Sequence, residues 1–297
     1  MVGAARLAFS LTWWGDGLWP PCPAPDVGLE CRANGGQAMI VSVLNLSHGA
    51  ISDIHMQKVI RAINVQIARD FEPYWGFGAT LRLEGHTAHK GKQRFKFDPL
   101  DMRGDGVLYV LDKFNEDLAG AHDADFRGVP AGVVYLDLSE GLQEEWSVSL
   151  SHEALEMIAD PQINLVVQGP HPEGRDRDVF HWFEMCDAVQ AQSYRIDGIG
   201  ASDFVLPLYF TPSSESGSRN NFMGAVTRGK TSHHLPSFGV AHGGYIGYFD
   251  PKKADNLTYE HAGDALARKR RAIKQGHTGR RARRMAKTAQ FATMPKV

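Results

Sequence analysis

The stretch Trp146–Ser–Val–Ser–Leu–Ser–His152–Glu153–Ala–Leu–Glu156–Met–Ile–Ala–Asp160–Pro161 decides how this chain is read. One histidine and three carboxylates fall within nine residues of an otherwise apolar segment, and Asp160–Pro161 supplies a stop. The pattern predicts a helix from about Ser147 to Ala159. Its flanking Trp146, Val148, Leu150, Leu155 and Ile158 argue against a solvated face. Charged groups inside an apolar helix are costly unless something pairs or coordinates them. The segment therefore holds a metal ion or carries a buried polar network.

His152 and Glu156 stand at i and i+4, one turn apart on one helix face, so both can reach one ion. Glu153 sits where a zincin places the base that activates a metal-bound water. The zincin signature is H-E-x-x-H, whereas this chain has H-E-A-L-E. A carboxylate at the fifth position still ligates zinc, but it lowers Lewis acidity and widens the choice of metal toward Mn, Mg or Ca. A third donor has to come from elsewhere. Asp160 is eight residues past His152, about 12 Å along a straight helix, and fits better as an orienting or capping group. Glu184 and Asp187 in the segment Glu184–Met–Cys–Asp187 are better placed, one as ligand and the other accepting the His152 ring N–H. The expected ligand set is thus His152, Glu156 and Glu184, with Asp160 and Asp187 as supporting groups or alternative ligands. Cys186, between the two carboxylates, reads as a small buried hydrophobe.

Outward from this segment the pattern is regular. Ile40–Leu46 is an apolar, β-branched strand. Ser52 or Asp53 caps a helix whose Met56, Val59, Ile60, Ile63 and Ile67 form one face, ended by Pro73 and Gly76. Thr80–Glu84, Val107–Leu111 and Val133–Leu136 are further strands, followed by the His/Glu helix. This order predicts an α+β fold: a mixed β-sheet with a backing helix on one face and the second helix beneath a cleft. Beyond Pro161 the chain is irregular, with short strands at Tyr194–Ile196, Phe204–Phe210, Phe222–Val226 and Gly243–Phe249. His233, His234 and His242 lack regular ligand spacing and read as loop residues. The resulting division is an irregular N-terminal extension over 1–38, a domain over 39–250 and a basic, helical or disordered tail over 251–297.

Composition is that of a soluble globular protein, with 43% hydrophobic and 22% charged residues. No apolar run reaches the length of a membrane span. Three cysteines (Cys22, Cys31 and Cys186) make no disulfide framework, which favours a reducing compartment. A short apolar run after Arg6 faintly resembles a signal peptide, but Gly15 and Asp16 break it. Cytoplasmic or virion-associated location is expected, with secretion as the alternative. The net charge of -2 conceals an asymmetry: residues 268–297 hold 11 Lys/Arg and no acid, leaving an acidic body. The clusters at 268–271 and 280–284 suit non-specific contact with nucleic acid or a neighbouring subunit through residues 268–287. No aromatic interleaves them for base stacking.

Several motifs occur in order: SLSHEALEMIADPQINL, FEMCDAVQAQSYRIDGIGASDFVLPLYF, NFMGAVT and AHGGYIGYF. Together they resemble a family of bacterial and phage-encoded proteins of uncharacterised activity. Its pattern is S-H-E-x-x-E-x-x-x-D-P, E-x-C-D, an sDFV-P-x-[WF]F strand and a closing G-G-Y. That family is similar in turn to metzincin-like zinc metallopeptidases. The resemblance covers about residues 39–250. It implies a zincin-like fold with an irregular β-rich C-terminal part, His152 and Glu156 as ligands, and Glu153 as base. The expected function is a metal-dependent, zinc-type peptidase acting on a peptide or protein substrate through a metal-activated water. The alternative is an inactive zincin-like structural or virion-associated protein whose basic tail touches nucleic acid or its neighbours.

Overall fold

A computed structural model describes residues 39–84, 104–113, 129–212, 219–224 and 235–275. The expected N-terminal extension, His233, His234 and the basic cluster at 280–284 lie outside them.

The chain enters on β1 (Met39–Leu46) and turns into α1 (Asp53–Val65). Ser52 caps α1, its hydroxyl accepting from the His55 N–H at 3.2 Å. Met56, Val59, Ile60 and Ile63 are buried on one face, as the three-and-four spacing requires. The helix does not stop at Pro73. It loosens into a π-helical turn, Gln66–Phe71, and one more turn, α2 (Glu72–Trp75), which Gly76 ends in the left-handed conformation at φ 73°. β2 (Ala79–Glu84), β3 (Gly106–Leu111) and β4 (Ala131–Tyr135) follow. A short α3 (Leu136–Gly141) leads into α4 (Trp146–Ala159), the His/Glu helix.

The first sheet has the order β2-β1-β3-β4, and every described pair in it is parallel. Central β3 is buried at all six positions because both its faces are covered. Leu108 and Val110 join Val41, Val43 and the α1 residues in the main core, while Val107, Tyr109 and Leu111 form a second cluster on the opposite face. The antiparallel pairs sit in two separate sheets: β10-β9-β6-β5 and the hairpin β7-β8. Their strands are β5 (Val166–Pro170), β6 (Asp178–Trp182), β7 (Ser193–Ile196), β8 (Ile199–Ser202), β9 (Ile246–Asp250) and β10 (Asp255–Tyr259). Among the described residues the structure is thus α+β with one parallel and two antiparallel sheets. No helix among the described residues is long and apolar enough to cross a membrane.

α4 packs between β4 and the hairpin strand β8, and only Trp146, Ser149 and Glu153 escape full burial along it. A triangle of hydrogen bonds ties it to its neighbours. Ser151 Oγ donates to Gln66 Oε1 (2.6 Å), Gln66 Nε2 to Ser202 O (2.8 Å), and Ser202 N to Ser151 Oγ (3.0 Å). Gln66 is the first residue of the π-helical turn, and its polar contact is a detail that apolar periodicity does not encode.

Three expectations shift. The sheet built on β1, expected to be mixed, is parallel in every described pair, and the antiparallel strands form sheets of their own. Phe204–Phe210 is not a strand. Phe204, Val205 and Leu206 are buried, Val205 makes one isolated bridge to Asn221, and Pro207–Phe210 is a 3₁₀ turn. The ordered body also runs past residue 250. β10 pairs with β9 over five residues, and α5 (Ala265–Gln275) follows with Ala267 fully buried. β9 passes under Trp182, where only glycine fits: a Cβ on Gly247 would lie 2.0 Å from the indole.

Candidate metal centre

α4 delivers His152 and Glu156 to one point. His152 Nε2 is 3.1 Å from Glu156 Oε1 and 3.4 Å from Asp187 Oδ1, and the three side chains are 5–7% exposed. The partner segment, Phe183–Asp187, leaves β6 and enters a 3₁₀ turn at Asp187–Val189. It is lashed in place by backbone. Val205 N donates to Met185 O (2.8 Å), Tyr245 N to Asp187 O (3.1 Å) and Ala241 N to Ala188 O (2.9 Å). Gly244 allows the last approach, since a Cβ there would stand 2.3 Å from Ala188 O. The Cys186 N–H itself donates to Glu156 Oε1 (3.3 Å), which joins the two halves of the site.

One donor atom each from His152, Glu156 and Cys186 lies within 4.8 Å of the other two, and all three residues are buried. Two donors on a tetrahedral ion with bonds of about 2.0–2.1 Å stand about 3.3 Å apart. The separations at His152 Nε2 match that spacing. They also match a hydrogen-bonded network around a protonated imidazole. Either way, buried carboxylates need a positive charge beside them, from the imidazolium or from a cation.

The Cys186 thiol is fully buried, and burial pushes its pKa well above the usual thiol value, with the Glu156 carboxylate adding to the effect. A hydrogen bond with Ser202 of β8 works the other way, favouring the thiolate. Without a cation the group therefore stays a neutral thiol. His181 does not activate it: its Nε2 is taken by Pro170 O at 2.8 Å and its ring lies on Phe238 at 4.6 Å between centroids.

Of the residues expected from the sequence, His152, Glu156 and Asp187 come together. Glu184 is buried nearby, on the wall of a small pocket that it shares with His181, Asp187, Tyr209 and Gly247. It is not in the three-donor group. Glu153 is half-buried on the side of α4 that faces β4, where its Oε2 would be 3.8 Å from a Cβ on Gly132. Asp160 lies at the helix end and accepts from Asn164 N (3.0 Å) and Leu165 N (3.1 Å), which holds the turn that follows α4. His242 is an exposed loop residue, its Nδ1 3.0 Å from Asp264 Oδ2.

Cys186 is the residue that sequence reasoning passed over. Its signal was present, a single cysteine flanked by candidate ligands in Glu-x-Cys-Asp, but buried cysteine is usually core. Comparison with protein-family models, curated proteins and solved structures finds no match to the chain, so the assignment of this centre rests on its own geometry.

Proposed function

We propose that the chain is a metal-dependent hydrolase of zincin-like fold that cleaves peptide bonds with a metal-activated water. The observation that carries this reading is the convergence of His152, Glu156 and Cys186 donor atoms within 4.8 Å, at the meeting of the H-E-x-x-E helix and the E-x-C-D segment. An imidazole, a carboxylate and a sulfur suit zinc. His152 and Glu156 would hold the ion, with a third donor from residues 184–187. When bound, the ion supplies the Lewis acidity that lowers the pKa of a water. Glu153, the next residue after His152, would be the base toward such a water, which requires its carboxylate to turn from the β4 side, where its Oε2 lies near Gly132. The zincin-like fold is supported by the placing of α1 against β2 and of α4 against β4, although the described sheet is parallel where a mixed one was expected.

One observation favours a second reading, a catalytically silent module. The donor residues are all at least nine-tenths buried, whereas a catalytic zinc keeps an open position. In that case the basic C-terminal region contacts nucleic acid or a neighbouring subunit in a virion-like assembly. Arg268 and Lys269 are exposed on α5, so their substitution by Glu tests this without removing the buried Arg270.

The discriminating experiment is metal analysis of dialysed protein combined with a peptidase assay of the wild type and Glu153→Gln. The hydrolase reading expects one zinc per chain and a loss of about 10²-fold or more in the variant, with zinc retained. Zinc without activity selects the silent module. Absence of any stoichiometric divalent ion overturns the hydrolase reading.

A further inference from the structure

We infer that Cys186 Sγ, rather than a carboxylate of Glu184 or Asp187, is the third ligand of the centre, so that the site selects a thiophilic ion such as zinc and excludes magnesium and calcium. This deepens the metal reading above and rests on it. Two independent observations, position and fixation, support the assignment.

The first is position. Among the described residues, Cys186 is the one in segment 183–187 whose donor atom lies within 4.8 Å of both helix donors. Asp187 approaches His152 Nε2, at 3.4 Å, but stands outside the mutually close set, and Glu184 faces the pocket. The second is fixation. Cys186 cannot drift away from the helix, because its N–H is bonded to Glu156 Oε1 and its carbonyl accepts from Val189 N at 3.0 Å. A ligand held by its own backbone pays little ordering entropy on coordination.

Charge is compatible with this assignment but does not by itself choose sulfur over oxygen: a neutral imidazole and two anionic donors cancel a divalent ion whether the second anion is a thiolate or a carboxylate. Neutrality is what a nearly solvent-free site demands. Replacing the thiolate by a neutral thiol would leave a surplus positive charge in the same volume. Loading forms the metal–sulfur bond and releases the thiol proton to solvent, which keeps the exchange balanced.

The consequence is selectivity. Hard cations want six to eight oxygens and gain nothing from sulfur, whereas zinc takes thiolate, imidazole and carboxylate together. The broad metal tolerance expected from Glu156 alone is thereby narrowed.

The test is zinc K-edge absorption spectroscopy on the full chain carrying Cys22→Ser and Cys31→Ser, which removes the other two cysteines. One sulfur at about 2.3 Å beside nitrogen and oxygen at about 2.0–2.1 Å is the expected shell. Adding Cys186→Ser should remove the sulfur shell and weaken zinc binding at least about tenfold. Should that variant fail to fold, the shell measured in the Cys22/Cys31 variant decides on its own. Stoichiometric zinc with nitrogen and oxygen alone overturns the inference and leaves the hydrolase reading standing, as does a sulfur shell that survives Cys186→Ser. No bound zinc overturns both.

Discussion

His181 shows what burial does to a single ionisable residue here. His181 is 2% exposed, its ring tilted against Phe238 and hydrogen-bonded to Pro170 O, and burial lowers its pKa to about 4. In the unfolded chain an imidazole takes its proton near pH 6.5. Between those values acid loads the unfolded state but not the folded one. The stability that the neutral ring provides is therefore complete above about pH 6.5 and lost progressively toward about pH 4. The full swing is of order 3 kcal/mol. Urea denaturation of wild type and His181→Gln at pH 7, 5.5 and 4.5 should show the wild type losing stability faster than the variant. Parallel losses would mean the ring is protonated in the folded state.

At the scale of elements, α4 is built around its ends as much as its face. It lacks a side-chain N-cap, and its C-terminus depends on Asp160, whose two carboxylate oxygens hold the N–H groups of Asn164 and Leu165. Hydrogen bonds to a charged acceptor of this kind contribute about 1.5–3 kcal/mol. Asp160→Ala should lower stability by roughly that amount in thermal or urea unfolding, while zinc content stays at the wild-type level. Loss of zinc with unchanged stability would instead make Asp160 a ligand. Eight residues from His152 were enough to doubt coordination from the sequence. The actual role required knowing that the chain turns back at Ile163, which takes a positive φ of 55°.

For the whole molecule, the informative boundary lies near the C-terminus. Residues 251–275 looked like a tail because their basic pattern shows no wide apolar stripe. In the fold they close the body. Asp264 accepts from Gly243 N (2.7 Å) and Ala267 N (3.0 Å), capping α5. Arg270 is buried against Glu144 and Gln190 O, so one member of the 268–271 cluster points inward. A chain ending at Asp250 loses β10, this cap and the ion pair. Removing one partner of a buried pair alone costs about 3–5 kcal/mol. The truncated protein should melt at markedly lower temperature or lose its cooperative transition. An unchanged melting curve would mean that these residues form an independent tail.

The amino-acid sequence by itself determined the local framework. Continuous apolar, β-branched runs set β1 and β3, three-and-four spacing set α1, and the i, i+4 relation put His152 and Glu156 on one face of α4. These are short-range properties, carried by neighbouring residues. The tertiary structure decided what depends on distant segments meeting. It made Phe204–Leu206 buried loop instead of strand, because apolar content fixes burial but not pairing. It joined β10 and α5 to the body through Asp264 and Arg270. It also brought Cys186 to His152 across 34 positions of sequence, through the backbone bonds that lash residues 185–188 to 205, 241 and 245. A donor's identity is written in the sequence, but its partnership is a property of the packed chain.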